Sequence, residues 1–448
     1  MSEKYAIGDS VVEAVYDQTG TRNPLIEALP SRMPTESFFE SMRSYPVLSE
    51  RPRTLNQRKA ALAQLPTIFT PLPYMYSIYD SLFRMLEASY HTLTSRESAA
   101  RINAIFADKT SAGSYSTQAQ SGALLGTPGI GKTSTVKRCL SMLPQVVAHE
   151  KYLGNPFYTK QVLWLYVECP SDASQKTMAY NIVRALDLAV EGNHLDYLMR
   201  SRSTASSAVA TYIKVLCMTY HVGLLVIDEI QNVVGVAQRS KKVKPLIRFL
   251  TELTNDTCTS VYFVGTTMAD EVFQAEEYLR RRTRGPRLLP FKPDAGYREF
   301  LSSIWKFQVT ERSAELTDRI SNLIYTYSGG IPAYITSLFT EAQAQALLQR
   351  ATCIDSEIVK QTADYLTIQP PSKIGRGVSI SDFHGIRDGS SDEKAPETEE
   401  SRDKDMDGGK RGRRVTERDQ LDLLLALKAG RLSQMLREND LIEELVLC

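Results

Sequence analysis

Between Gly126 and Ser134 the chain reads GTPGIGKTS, and Gly126, Gly131, Lys132 and Thr133 fit the spacing G-x-x-x-x-G-K-S/T. Each residue type has a physical reason. Glycines let the backbone curl so that successive N–H groups point inward at a β-phosphate. A helix opening near Lys132 adds the positive end of its dipole. Lys132 sets a compact cation on the β- and γ-phosphates, and the Thr133 hydroxyl suits Mg2+, which prefers oxygen ligands. The whole stretch, Gly126, Thr127, Pro128, Gly129, Ile130, Gly131, Lys132, Thr133 and Ser134, is expected to hold ATP. It follows a short aliphatic run and precedes a helical period, the context such a loop requires.

A second signal is LLVIDE, Leu224 to Glu229, in which four aliphatic residues end in two carboxylates. That places the acids at the C-terminal mouth of a buried strand, the edge where open α/β sheets bind ligands. Asp228 is expected to hold Mg2+ directly or through water. Glu229 is expected to orient and polarise the attacking water. One strand–helix unit later, SVYFVGTTM offers Thr266 as a contact to the γ-phosphate or the water, with Thr267 the alternate. Finally, EEYLRRRTRGPR crowds Arg280, Arg281, Arg282, Arg284 and Arg287 together. Such arginines can reach the γ-phosphate of a neighbouring copy, Arg281 and Arg282 being the candidates, or they form a solvated or DNA-facing basic patch.

These groups need a frame to hold them. Short aliphatic runs (GALLG, QVLWLYVE, GLLVIDE, SVYFVGTT) alternate with helical periods, which implies a parallel sheet covered on both faces. Helices are expected from about Gln175, Val243 and Ala269. After Pro293 helical periods follow at 295–307, 314–327, 332–349 and 354–366, a helical subdomain appended to the α/β core. Ahead of the core, residues to about 50 read as extended or partly helical arms. Helices are expected from Leu55, through FTPLPYMYSIYDSLFRMLEASY, and near Arg96 to Phe106. The polar stretch from Pro370 to about Gly409 is too poor in large apolar residues to fold alone. A basic cluster, KRGRRVTERDQ, and an amphipathic close follow; the latter either docks a partner or folds back.

The chain has 448 residues and a formal net charge of +1, so no global field draws it to nucleic acid or membrane. Its six cysteines form no CxxC pair, which argues against a zinc site or disulfide framework. No basic-then-apolar leader or bilayer-length apolar run is present, so a cytoplasmic location without membrane contact is expected.

Taken in order, the four signals resemble an AAA+ ATPase. LLVIDEIQNV, VLWLYVECPSDASQKTM, RRTRG and PTIFTPLPYMYSIYDSLFRML together resemble the TnsC/TniB family, AAA+ regulators of DNA transposition, over roughly residues 55–350. That resemblance implies a P-loop ATPase with a parallel sheet core (116–292), a helical lid (293–368), an N-terminal arm and helical extension (1–115), a disordered linker with a basic end (369–415) and a C-terminal partner-binding segment (416–448). One extra strand and two helices are expected between the two Walker elements. It also implies ATP-dependent assembly as a ring or helical filament on double-stranded DNA without sequence preference, linking a target-selection protein to a transposase. Lys176 and Thr177 would track the DNA backbone; read from the residues alone they equally well open a helix capped by Ser171 or Ser174. The lid departs from many AAA+ chains in offering no Arg in YTYSGGIPAYI, where Gly329, Gly330 and Pro332 stand. Two other readings are a replication-initiator or clamp-loader-like ATPase, which would usually append a winged-helix domain, and a nucleotide-gated scaffold without turnover.

Overall fold

The computed structural model describes residues 4–17, 20–46, 54–106, 117–200, 206–233, 243–270, 273, 284–370 and 377–383. The expected C-terminal partner-binding segment, the basic cluster, Arg280, Arg281 and Arg282 lie outside these residues.

An N-terminal strand β1 (Val11–Glu13) leads to α1 (Pro24–Glu27), α2 (Thr35–Met42), α3 (Leu55–Leu62), the long α4 (Pro73–Thr92) and α5 (Ser95–Phe106). The core then runs β2 (Ser121–Gly126), α6 (Lys132–Ser141), β3 (Val146–Tyr152), β4 (Asn155–Val162), β5 (Trp164–Glu168), α7 (Gln175–Val190), α8 (His194–Arg200), α9 (Ser206–Thr219), β6 (Leu224–Asp228), α10 (Val243–Thr257), β7 (Ser260–Gly265) and β8 (Arg287–Leu289). Four helices follow, α11 (Ala295–Trp305), α12 (Asp318–Ser328), α13 (Pro332–Leu348) and α14 (Ser356–Leu366), and then β9 (Val378–Ser379).

Six strands pair in the order β5-β6-β7-β2-β8-β9, all in parallel. The aliphatic runs explain why. Side chains alternate faces along a strand, so a strand with both faces covered must be apolar throughout. In β6, Leu224 and Val226 enter one core, which includes α4, α6 and the four late helices. Leu225 and Ile227 enter the other, built with α7, α9 and α10. β7 divides likewise, with Tyr262 and Val264 on the first side and Val261 and Phe263 on the second. α4 begins with Pro at its first turn and buries Tyr74, Ile78, Leu82, Phe83 and Leu86.

Three expectations need correction. QVLWLYVE is two strands, not one: the chain breaks at Leu163, between β4 and β5. β3 and β4 form an antiparallel hairpin that joins β1 in a separate three-stranded sheet. Together with β5 and the described helices α7, α8 and α9, this makes the segment between the Walker elements larger than one strand and two helices. The hairpin is half-exposed, so its residues alternate with polar ones instead of forming an aliphatic run. Its turn, Leu153-Gly154, has both residues at positive φ, 48° and 80°, without the Asn-Gly or Asp-Gly pair that announces such turns. Third, residues 377–383 fall inside the expected linker yet return to the sheet. β9 pairs with β8 in register Leu288↔Val378, Ile380 is buried, and Ser379 Oγ donates to Pro290 O at 2.7 Å. A strand of two residues adds to an existing edge with little apolar content of its own.

No helix among the described residues is long and apolar enough to cross a membrane. Cys139, Cys169, Cys217, Cys258 and Cys353 are free thiols, the first four buried.

Candidate nucleotide site

β2, β7 and β6 end at one edge of the sheet, with β7 in the middle. The phosphate loop therefore follows β2 on one side, Asp228 and Glu229 follow β6 on the other, and Thr266 follows β7 between them.

The loop is held from three directions. Thr127 N donates to Leu288 O on β8 at 3.2 Å. Tyr74 of α4, fully buried, puts its hydroxyl 3.3 Å from Ile130 O and 3.2 Å from Thr135 Oγ1. From the late helices, Ala333 N at the start of α13 donates to Gly129 O at 3.1 Å. Gly129 sits at φ 81° with Ile331 and Ala333 against it, so a side chain there would be strained and would meet Ile331 at 3.0 Å. Gly329, Gly330 and Pro332 thus form the turn that delivers a helix N-terminus onto the loop. Pro128 and Ser134 are exposed, Ile130 is buried, and Gly131 is the N-cap of α6.

Lys132 is buried, and its Nζ donates to Gly126 O at 2.9 Å and Thr127 O at 3.0 Å. Burial pulls this ammonium down to about 8, opposed by the nearby carboxylates of Asp228 and Glu229. A buried cation with only neutral carbonyls as hydrogen-bond partners is a natural receiver for a phosphate anion.

Both carboxylate oxygens of Asp228 are engaged. Oδ2 accepts from Thr133 Oγ1 at 2.7 Å and from Tyr166 Oη at 2.5 Å; Oδ1 accepts from Glu229 N at 2.7 Å. Burial, then the hydrogen bond to Asp228, raises the Tyr166 phenol, which stays protonated and a donor. Thr133 and Asp228 are hard oxygen donors already within contact of each other, which fits magnesium.

Glu229 holds φ 57°, a left-handed conformation uncommon for a residue with a side chain. Gln231 Nε2 donates to Glu229 Oε2, and Gln231 Oε1 accepts from Thr266 N at 3.0 Å. Thr266 Oγ1 is buried with no hydrogen-bond partner, and Thr267 opens a short 3-10 turn, Thr267–Ala269. An unpartnered buried hydroxyl is costly in a core and expected at a ligand site.

The remaining sequence candidates lie elsewhere. Arg281 and Arg282 are outside the described residues. Arg287 Nε meets both oxygens of Asp270, at 2.9 and 2.8 Å. Arg284 bridges to Gly122, at the start of β2. From Gly122 to Gly126 a strand climbs about 13 Å, so Arg284 sits at the far end of β2 from its own phosphate loop. Ser174, not Ser171, caps α7, its Oγ accepting from Thr177 N at 3.3 Å. Thr177 Oγ1 donates to Asp172 Oδ2 at 3.1 Å, and Lys176 Nζ lies 5.5 Å from the Tyr180 ring centre.

Sequence reading missed Tyr74, Tyr166 and Gln231. Gln231 stood two positions after Glu229, close enough to be suspected. Tyr166 lies on β5, paired opposite Val226 of β6, and Tyr74, near the start of α4, stands more than fifty residues before the loop it touches. Neither had a local signal.

This chain is similar to several solved proteins. Aeropyrum pernix ORC1 in complex with DNA matches at 14% identity and TM-score 0.38, covering 60% of this chain and 64% of that one. Drosophila ORC bound to DNA matches at 13% identity and TM-score 0.41, covering 73% and 70%. The Thermotoga maritima RuvB Holliday junction branch migration motor matches at 18% identity and TM-score 0.32, covering 61% and 70%. This chain thus spans just under two thirds of the length of the Aeropyrum protein. No curated protein matches it. Residues 115–273, from the approach to β2 through the phosphate loop, the Asp228–Glu229 pair and Thr266 to Phe273, match the AAA domain family.

Proposed function

We propose that this chain is an ATP-hydrolysing, DNA-binding regulator of transposition. The observation that carries hydrolysis is the convergence at one sheet edge of buried Lys132, the Thr133–Asp228 contact, Glu229 and the unpartnered hydroxyl of Thr266. In this reading Lys132 moves from loop carbonyls to the β- and γ-phosphates. Thr133 and Asp228 would hold Mg2+, which would supply neutralisation of phosphate charge. Glu229 orients a water and takes its proton. Thr266 donates its hydroxyl to a γ-phosphate oxygen or that water. Tyr166, by donating to Asp228, keeps the carboxylate aimed at Thr133.

The transposition role rests on the motifs that resemble TnsC/TniB chains. It entails assembly of copies as a ring or filament on duplex DNA, with Arg281 or Arg282 reaching the neighbour's phosphate. Arg284, placed away from its own loop, is consistent with an arginine-rich face serving a second copy. Lys176 and Thr177 would contact the DNA backbone. Residues 416–448, tethered through 369–415, would link a transposase, and a target-selection protein would choose the site. We place the chain in the cytoplasm.

ATP turnover with and without duplex DNA tests this. Glu229→Gln should bind ATP within about threefold of the unaltered chain while turnover falls at least ~100-fold. Stimulation by duplexes of unrelated sequence, weakening with salt, supports the DNA role. Turnover indifferent to Glu229→Gln, or to DNA, would remove the corresponding half of the proposal.

A further inference from the structure

Gln231 touches both halves of the site. Its amide nitrogen donates to the Glu229 carboxylate, and its amide oxygen accepts from the backbone N–H of Thr266 at 3.0 Å. The side chain lies in a slot that Gly265 leaves open: a Cβ there would stand 2.6 Å from Gln231 Oε1. Glu229 is held at φ 57°, so its backbone already departs from the ordinary course of a strand end. Thr266, bonded to Gln231 through its backbone, keeps its own hydroxyl unpartnered.

We infer that Gln231 is a positioning residue whose single amide couples the Thr266 contact with a γ-phosphate to the placement of Glu229. This rests on the ATP-hydrolysis reading. An amide is the group for the task, because it donates on one side and accepts on the other within one rigid plane. When Thr266 shifts toward a γ-phosphate oxygen, its N–H carries Gln231 Oε1 along. The same plane then moves the NH2 group that holds the Glu229 carboxylate. Asparagine is one methylene too short to span both contacts, and glutamate would set a second negative charge against Glu229.

The test is a double-mutant cycle read as kcat and as affinity for a fluorescent ATP analogue. Gln231→Met keeps the length and removes both hydrogen bonds; it should lower kcat by about tenfold or more with affinity within about threefold. Gln231→Asn should behave the same way, which guards against a packing fault peculiar to methionine. Thr266→Val alone should also lower kcat about tenfold, but added to Gln231→Met it should lower kcat less than about twofold further. A merely structural Gln231 would instead lower melting temperature and affinity together with kcat. Effects that multiply, or a Gln231→Met chain as fast as the unaltered one, would overturn the coupling while leaving the hydrolysis reading intact. An unaltered chain that never hydrolyses ATP would overturn both.

Discussion

Buried polar groups gather at both ends of the parallel sheet, and the two gatherings differ in kind. At the N-terminal end, Ser89 of α4 pairs with Ser260 Oγ at 2.7 Å and donates to Gly223 O at 2.7 Å; Tyr90 donates to His221 O at 2.8 Å. Those groups close on one another and pin α4 to the starts of β6 and β7. At the C-terminal end, Lys132 is served by neutral carbonyls, and Thr266 Oγ1 by nothing. Among the described residues Ser95, Tyr262 and Ser321 also carry an unpartnered buried hydroxyl. Thr266 is set apart because it stands between a phosphate loop and a carboxylate pair. The lesson is that a closed polar network anchors, whereas an open one receives.

The contrast can be broken most severely at Lys132. Lys132→Ala should weaken ATP binding by at least ~100-fold, seen as loss of the ATP-induced melting shift, because the triphosphate loses its only loop ammonium. Melting temperature without ATP should barely fall, since the site end is not an anchor.

The N-terminal end should answer to pH instead. Burial, and secondarily the neighbouring His149, pull His221 down to about 4. A histidine kept neutral in the fold charges first in the unfolded chain, so stability is full above about pH 6.5 and falls as pH drops toward the folded value. Denaturation at pH 5 should show about 2 kcal/mol less stability from this group than at pH 7, and His221→Gln should remove that slope. A slope that survives the substitution would assign it elsewhere.

Smaller still, Ser89→Ala should cost about 1.5 kcal/mol of stability by urea denaturation while ATP affinity stays unchanged. A loss of affinity would show that the two ends are not independent. Least of all, Asp270→Asn, which strips the half-exposed Arg287 of its partner, should cost about 0–1 kcal/mol.

Much of the candidate site's placement on the sheet was legible in the sequence. The runs in β2, β6 and β7 are aliphatic because both faces are buried, and that made their ends, hence Lys132, Thr133, Asp228, Glu229 and Thr266, locatable from sequence. The β3–β4 hairpin was not legible, since a half-exposed ribbon turned by Leu153-Gly154 looks like loop. Tyr166 escaped because its contact with Asp228 depends on which strand lies beside β6, a fact of pairing and not of spacing. β9 escaped because Val378 and Ser379 borrow their hydrogen bonds from an edge that only the fold provides.

That last strand has a mechanical meaning. The helices α11 to α14 leave the sheet after β8, and the chain comes back beside it at β9, so the group is tied to the sheet at both of its chain ends as well as through the core it shares with α4 and α6. With Ala333 also bonded to Gly129 of the phosphate loop, the group is fastened at a further place, and a shift of that loop bears directly on the first turn of α13.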